Sequence, residues 1–216
     1  MKNKHTSKRL MDIYNRLFER FGPQHWWPGE TKTEIIIGAI LTQNTNWENV
    51  KKAILNLKKA RMLNFPALKD INVNALAELI RPSGYYNIKA KRLKNFVDFF
   101  FREYGGSWKK FQAQPLPLLR EHILSVNGVG PETGDSILLY ALGKPVFVID
   151  AFTKRALIEH KLIKADADYH SVQKLFMDNL EPDVLFFNEY HALFVRLAKE
   201  HCRTKPLCEK CPLEKV

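Results

Sequence analysis

The stretch that most constrains the fold is Leu124 to Asp150, LSVNGVGPETGDSILLYALGKPVFVID. An apolar stripe at Leu119, Ile123 and Val126 marks a first helix, Pro131 sits where the first turn of a second helix tolerates a missing N–H, and Asn127-Gly-Val-Gly130 lies between them. Gly143 stops the second helix near Leu142 and Pro145 prevents its resumption. Val146 to Ile149 is then an extended apolar run that delivers Asp150 to the start of another helix, about Ala151 to Glu159. Glycine allows positive φ and leaves no side chain between backbone N–H groups and an approaching phosphate. The second helix start adds its own N–H groups and the positive end of its dipole. Asn127, Gly128, Val129 and Gly130 are therefore a candidate grip on a nucleic-acid backbone, positioning it without reading its sequence. The bland alternative is an ordinary helical corner.

Helical periodicity continues through the chain. Leu10, Ile13, Tyr14, Leu17, Phe18 and Phe21 form one apolar face over residues 7–21. Thr31 and Glu34 make a capping box, and Ile35 to Leu41 is apolar on every side, as in a helix buried within a lobe. That run meets the polar cluster Leu41-Thr-Gln-Asn-Thr-Asn-Trp47. Gln43 and Asn44 carry donors and acceptors suited to filling a gap in a base stack, or to a plain interhelical turn. A helix with Trp47, Val50, Ile54 and Leu57 on one face follows, then a loop around Pro66 and a short helix from Asn74 to Ile80. The next helix places Ala90, Leu93, Phe96, Val97, Phe100 and Tyr104 inward and closes at Gly105 and Gly106. Residues 169–180 and 183–200 read as two more, with Leu175, Phe176 and Leu180, then Leu185, Phe186, Leu193, Phe194 and Leu197, facing inward. No strand pair or repeat emerges. The expected fold is all-α in two lobes, one of residues 31–145 and one of residues 1–30 with 146–216.

Thirty-four Lys and Arg against 23 Asp and Glu give a net charge of +11, which favours a polyanionic partner. Nucleic acid suits this better than a membrane, because no stretch of 18 apolar residues and no basic amphipathic anchor is present. The basic N-terminus leads into an amphipathic pattern where a secretory signal needs a continuous apolar segment, so a cytoplasmic, nucleoid-associated location is expected. Cys202, Cys208 and Cys211 are clustered in one short segment and read as a metal site more readily than as a disulfide framework. Trp26 and Trp27 lie in a loop, either plugging the space between lobes or walling a pocket for a flat ligand. Asp150 is placed to cap its helix, and the same N–H groups and dipole would keep its carboxylate ionised beside developing positive charge.

The run LTQNT, the hairpin VNGVGPETGDSILLYALGKPVFVID and the terminal cysteines together resemble the helix-hairpin-helix-GPD DNA glycosylases of the endonuclease III superfamily, over essentially the whole chain. The resemblance implies a six-helix barrel carrying the hairpin, a second lobe from the terminal helices ending in a cysteine loop, and a monomer acting on double-stranded DNA with a damaged base. It further implies base-excision chemistry, with the base flipped into a cleft and Asp150, which closes the V-x-x-D run, as the catalytic carboxylate. Bifunctional members carry a lysine 18 residues before that aspartate, where this chain has Glu132. A carboxylate cannot form a Schiff base, which points to a monofunctional enzyme, unless Lys144 or Lys154 substitutes. The double tryptophan, Trp47 and the run from Arg81 to Arg92 are most similar to 3-methyladenine DNA glycosylases of the endonuclease III type. That similarity implies alkylated purines as substrates, a base pocket lined by Trp26, Trp27 and Trp47, and Gln43 as a wedge in the vacated duplex.

The alternatives are a glycosylase and lyase acting on oxidised pyrimidines, and a hairpin module that only holds DNA. Cys202-x5-Cys208-x2-Cys211 resembles the family's C-x6-C-x2-C-x5-C cluster loop, with a first gap one residue short and no fourth cysteine. The resemblance implies a 4Fe-4S cluster, which normally takes four thiolates. Zinc on the three cysteines with His201 and three free thiols are the other readings. In either metal case Arg203, Lys205 and Lys210 would lie on a loop folded against the DNA backbone.

Overall fold

A computed structural model describes residues 3–203 and 205–214, and among these every regular element is helical. The chain divides into two compact units, residues 28–142 and residues 1–27 with 143–216.

The central unit is built on α2 (Lys32–Leu41), which buries Ile36, Ile37, Ile40 and Leu41 completely. The Thr31 hydroxyl accepts from the Glu34 N–H at 3.1 Å, while the Glu34 carboxylate accepts from the N–H of Glu30 and meets Lys58 Nζ at 3.0 Å. Against it pack α3 (Trp47–Lys59) and α6 (Tyr86–Tyr104), and onto these α4 (Phe65–Asp70), α5 (Val73–Leu79) and a single 3-10 turn at Arg81–Ser83. The expected loop around Pro66 is instead the start of α4: the Asn64 side chain accepts from the Ala67 N–H at 2.8 Å, and proline fits the first turn, where its missing N–H costs nothing. A further helix unforeseen from the sequence, α7 (Trp108–Gln112), is too short to show a period.

The hairpin is α8 (Leu116–Leu124) and α9 (Pro131–Ser136), the latter running straight into five π-helical residues, Ile137–Ala141. A Cβ on Gly134 would stand 3.0 Å from Leu124 Cδ2 and 3.3 Å from Ile123 Cγ2, so the close crossing of the two helices requires a small residue there.

The second unit contains α1 (Lys4–Phe21), α10 (Ala151–Glu159), α11 (Tyr169–Met177) and α12 (Val184–Glu200). Its core is aromatic. Phe147 stacks on Phe176 with ring centroids 3.9 Å apart, Tyr190 stacks on Phe194 at 4.9 Å, and the buried Tyr190 hydroxyl donates to the Leu10 carbonyl at 2.7 Å. Two expectations fail here. α11 stops at Met177 rather than 180, and Leu185 is 79% exposed. The buried stripe of α12 runs through Phe187, Tyr190, His191, Phe194 and Leu197. Leu185 lies two residues, about 200°, away from Phe187 and so faces water.

The least expected core residue is Lys89. It is 1% exposed, and its ammonium donates to the carbonyls of Leu41 at 2.8 Å and Ser83 at 2.6 Å. These carbonyls lie at the ends of α2 and of the 3-10 turn, where helical partners run out. Burial, with Arg92 nearby, pulls the Lys89 amine down to about 8. Its folded value lies below its unfolded one, so the folded state binds fewer protons over that interval and stability rises with pH from about 8 to 10.5. Lys89→Met should leave two buried carbonyls unpaired and cost on the order of 2–4 kcal/mol. In thermal melts that loss should shrink below pH 8, where the wild type carries the cost of the buried charge, and grow above it.

Candidate active site and nucleic-acid interface

Asp150 stands at the end of the buried run Val146–Ile149, where extended backbone has no strand to pair with among the described residues. Side chains of α11 supply the partners. Gln173 Nε2 donates to the Phe147 carbonyl at 2.7 Å, the Met177 sulfur accepts from the Phe147 N–H at 3.3 Å, and the Tyr169 hydroxyl accepts from the Ile149 N–H at 3.4 Å. The run is thereby fixed, and with it the point at which Asp150 enters α10.

The Asp150 side chain caps α10, accepting from the Thr153 N–H at 2.7 Å, and is 14% exposed. His191, buried on α12, places Nε2 3.5 Å from Asp150 Oδ2. Burial pushes the carboxyl up, but His191 beside it and the Thr153 N–H outweigh that and hold the group below the ordinary carboxylate range. Asp150 is thus a nearly buried carboxylate that stays ionised. Its contribution to stability is present at neutral pH and is lost as pH falls through the folded value. His191 escaped the sequence reading because a histidine 41 residues away on an apolar helix face looks like core filling.

The hairpin turn lies in the other unit. Gly128 has φ +93°, in the region that favours glycine, and the Val129 N–H closes the turn on the Val126 carbonyl at 3.0 Å. The carbonyls of the turn are held from behind: Asn95 Nδ2 donates to the Asn127 carbonyl at 3.1 Å and Gln43 Nε2 to the Gly128 carbonyl at 3.0 Å. Asn127 and Gly130 are exposed and Val129 is buried. Gln43 Nε2 also donates to Thr133 Oγ1 at 2.9 Å, and Arg92 Nη1 donates to Gln43 Oε1. Gln43 is therefore engaged with the hairpin and would have to leave three partners to enter a duplex. Its neighbour Asn44 is exposed, with φ +52°. Glu132 is exposed in the first turn of α9.

Trp26 and Trp27 meet edge to face with centroids 5.6 Å apart, and Lys199 Nζ stands 5.9 Å from the Trp26 ring centre. Their loop is anchored by Gln24, whose N–H donates to Glu189 at 2.7 Å. Trp47, half-buried, opens α3 in the central unit.

Cys202, Cys208 and Cys211, with His201 and Glu214, line a recess of about 270 Å³. Burial, then the neighbouring Cys211, Glu159 and Cys208, pushes the Cys202 thiol up to about 11, against the opposing effect of Arg155. Among the described residues no three His, Cys, Asp or Glu side chains converge closely enough to hold a single metal ion. His201 Nδ1 lies 3.0 Å from the Leu207 carbonyl. A carbonyl can only accept, so Nδ1 carries a proton. Arg203, Lys205 and Lys210 are exposed on the same loop.

The model of the HhH-GPD superfamily of base excision DNA repair proteins matches residues 37–182. A protein of Methanocaldococcus jannaschii, named provisionally as a DNA repair glycosylase, is 46% identical over 206 residues, 95% of this chain and 94% of that protein. Among solved structures, Helicobacter pylori 3-methyladenine DNA glycosylase bound to 1,N6-ethenoadenine superposes with a TM-score of 0.74 at 29% identity, covering 90% of this chain and 97% of that one. A non-covalent endonuclease III–DNA complex superposes at 0.81 with 20% identity, over 96% and 92% of the two chains, and shares the fold.

His191→Gln removes the imidazole beside Asp150 but keeps a donor. The Asp150 carboxyl, followed by 13C NMR, should then titrate at a higher pH than in the wild type. An unchanged midpoint would mean that the helix end alone sets its ionisation.

Proposed function

The chain belongs to the HhH-GPD superfamily of base excision DNA repair proteins, and on that premise we propose that it is a monofunctional DNA N-glycosylase that hydrolyses alkylated purines from DNA. That it is a DNA glycosylase follows from the family. The finer reading rests above all on Asp150, a nearly buried carboxylate kept ionised by Thr153 and His191.

The glycosidic bond breaks with its electron pair passing to the base, and positive charge develops on the sugar. An alkylated, cationic purine leaves as a neutral base, so little protonation of the leaving group is needed. Asp150 stabilises the sugar cation and accepts the proton of the water whose oxygen adds to C1′. Glu132 at the hairpin supplies no amine for a Schiff base, which supports hydrolysis over strand cleavage. The substrate class is supported by the likeness to the 3-methyladenine glycosylase and by the aromatic faces of Trp26 and Trp27, which suit a flat, electron-poor base. The hairpin residues Asn127 to Gly130 would hold the DNA backbone.

The cysteine recess is lined by three soft thiols, a donor set that suits iron–sulfur chemistry. Cys202, Cys208 and Cys211 would hold a 4Fe-4S cluster, with His201, which lines the same recess, as a candidate fourth donor. Bound there, it would pin the loop of Arg203, Lys205 and Lys210.

Asp150→Asn retains an oxygen to cap α10 and should fold normally, bind DNA, and release methylated purines slower by on the order of 10²–10⁴-fold. Release at the wild-type rate would refute the role of Asp150, and a covalent adduct trapped by borohydride would overturn the monofunctional reading. Purified aerobically or anaerobically, the wild type should carry iron and acid-labile sulfide, and Cys208→Ser should lose both. Protein that carries zinc instead would exclude the cluster.

A further inference from the structure

We propose that Arg92 is a positioning residue that locks the Gln43 loop to the hairpin turn, presetting the backbone that receives DNA. This rests on the reading that the turn grips a DNA backbone. Two features of Arg92 converge on the same place. Its stem lies flat across Gly128, so that a Cβ built on that glycine would stand 2.3 Å from Arg92 Cγ and 2.8 Å from Cδ. Its guanidinium donates to Gln43 Oε1. Gln43 in turn donates to the Gly128 carbonyl and to Thr133 Oγ1, which closes a ring from α6 through the Gln43 loop to the turn and back.

Each member of that ring needs the others. Gly128 must lack a side chain both for its φ of +93° and because Arg92 occupies the space a Cβ would take. The Gln43 amide has one productive orientation, since Nε2 faces a carbonyl and a hydroxyl, and only a fixed donor such as a guanidinium satisfies Oε1 on the other side. Asn95, three residues on along α6, takes the preceding carbonyl of the turn, at Asn127. One face of α6 thus holds the turn by two successive carbonyls, directly through Asn95 and through Gln43 under Arg92. A turn fixed in this way loses little further freedom when a phosphate arrives, which is where affinity is gained.

An arginine on this face could instead touch a phosphate itself, and binding measurements with undamaged duplex DNA distinguish the two roles. If Arg92 positions the turn, Arg92→Met and Arg92→Lys should both weaken Kd by about ten-fold. The slope of log K against log salt should stay that of the wild type. Arg92→Met combined with Gln43→Ala should be scarcely weaker than either alone, because both break one ring. The loss should appear in Kd and KM more than in the single-turnover rate at saturating enzyme, whereas simple destabilisation would lower Tm and leave Kd below the melt unchanged. Arg92→Lys binding like the wild type, with a slope reduced by about one in Arg92→Met, would assign a direct phosphate contact and overturn the proposal. An unchanged Kd in Arg92→Met would do the same. Gly130→Asp tests the underlying reading separately, since Gly130 has no atom within 4 Å of a built Cβ and φ is negative there. If that added carboxylate leaves Kd intact, the turn does not meet phosphate, whatever Arg92 does.

Discussion

The hairpin depends on one ion pair. Asp135, fully buried in α9, is met from α8 by Arg120, with Nε 2.7 Å from Oδ1 and Nη2 3.0 Å from Oδ2. The fork matches the carboxylate bidentately and fixes both the distance and the rotation of the two helices, which Gly134 allows to come close. Such a pair adds little net stability over an apolar contact, because both ions lose water. Removing one partner strands the other and costs roughly 3–5 kcal/mol. Its effect is on geometry: α9 can begin at only one height against α8, so the Asn127-Gly-Val-Gly130 turn has one shape.

The same logic recurs wherever the backbone leaves a helix. Lys89 takes the last carbonyl of α2 and one from the 3-10 turn, Gln43 and Asn95 take those of the hairpin, and Gln173, Met177 and Tyr169 serve the run before Asp150. Buried irregular backbone must find partners, and in an all-helical chain these come from side chains. The candidate functional segments are the irregular ones. Each is therefore pinned by a polar side chain reaching from a neighbouring helix.

This division explains what the sequence could disclose. Period located α1, α3, α6 and α12, because each buries a wide apolar face, and a capping box before an all-apolar run located α2. It misjudged Leu185, since one helix turn at an end can place an apolar residue toward water at small cost, and it missed α7, which has a single buried residue, Phe111. Pro66 looked like a loop because proline is permitted both there and in a first helical turn. Asp150 was legible through its place after an apolar run before a helix. Its partner His191, the buried Lys89 and the Arg92 ring were not, because a lysine or arginine in a basic chain looks like surface until packing surrounds it.

The net charge of +11 and the fixed groups serve different ends. Exposed cations such as Lys51 and Lys52 draw in a polyanion over a Debye length and give no orientation. Orientation needs groups that do not move, and on the proposed reading these are the neutral N–H groups of the turn, held from behind by their carbonyls. Asp150 meets a third requirement, a negative charge persisting in a protein whose surroundings are positive and whose own site is nearly dry. Surface cations cannot supply it, being screened by water. Thr153 and His191 lie within hydrogen-bond or ion-pair distance inside the fold, where screening is weak and two contacts suffice to outweigh the cost of burial.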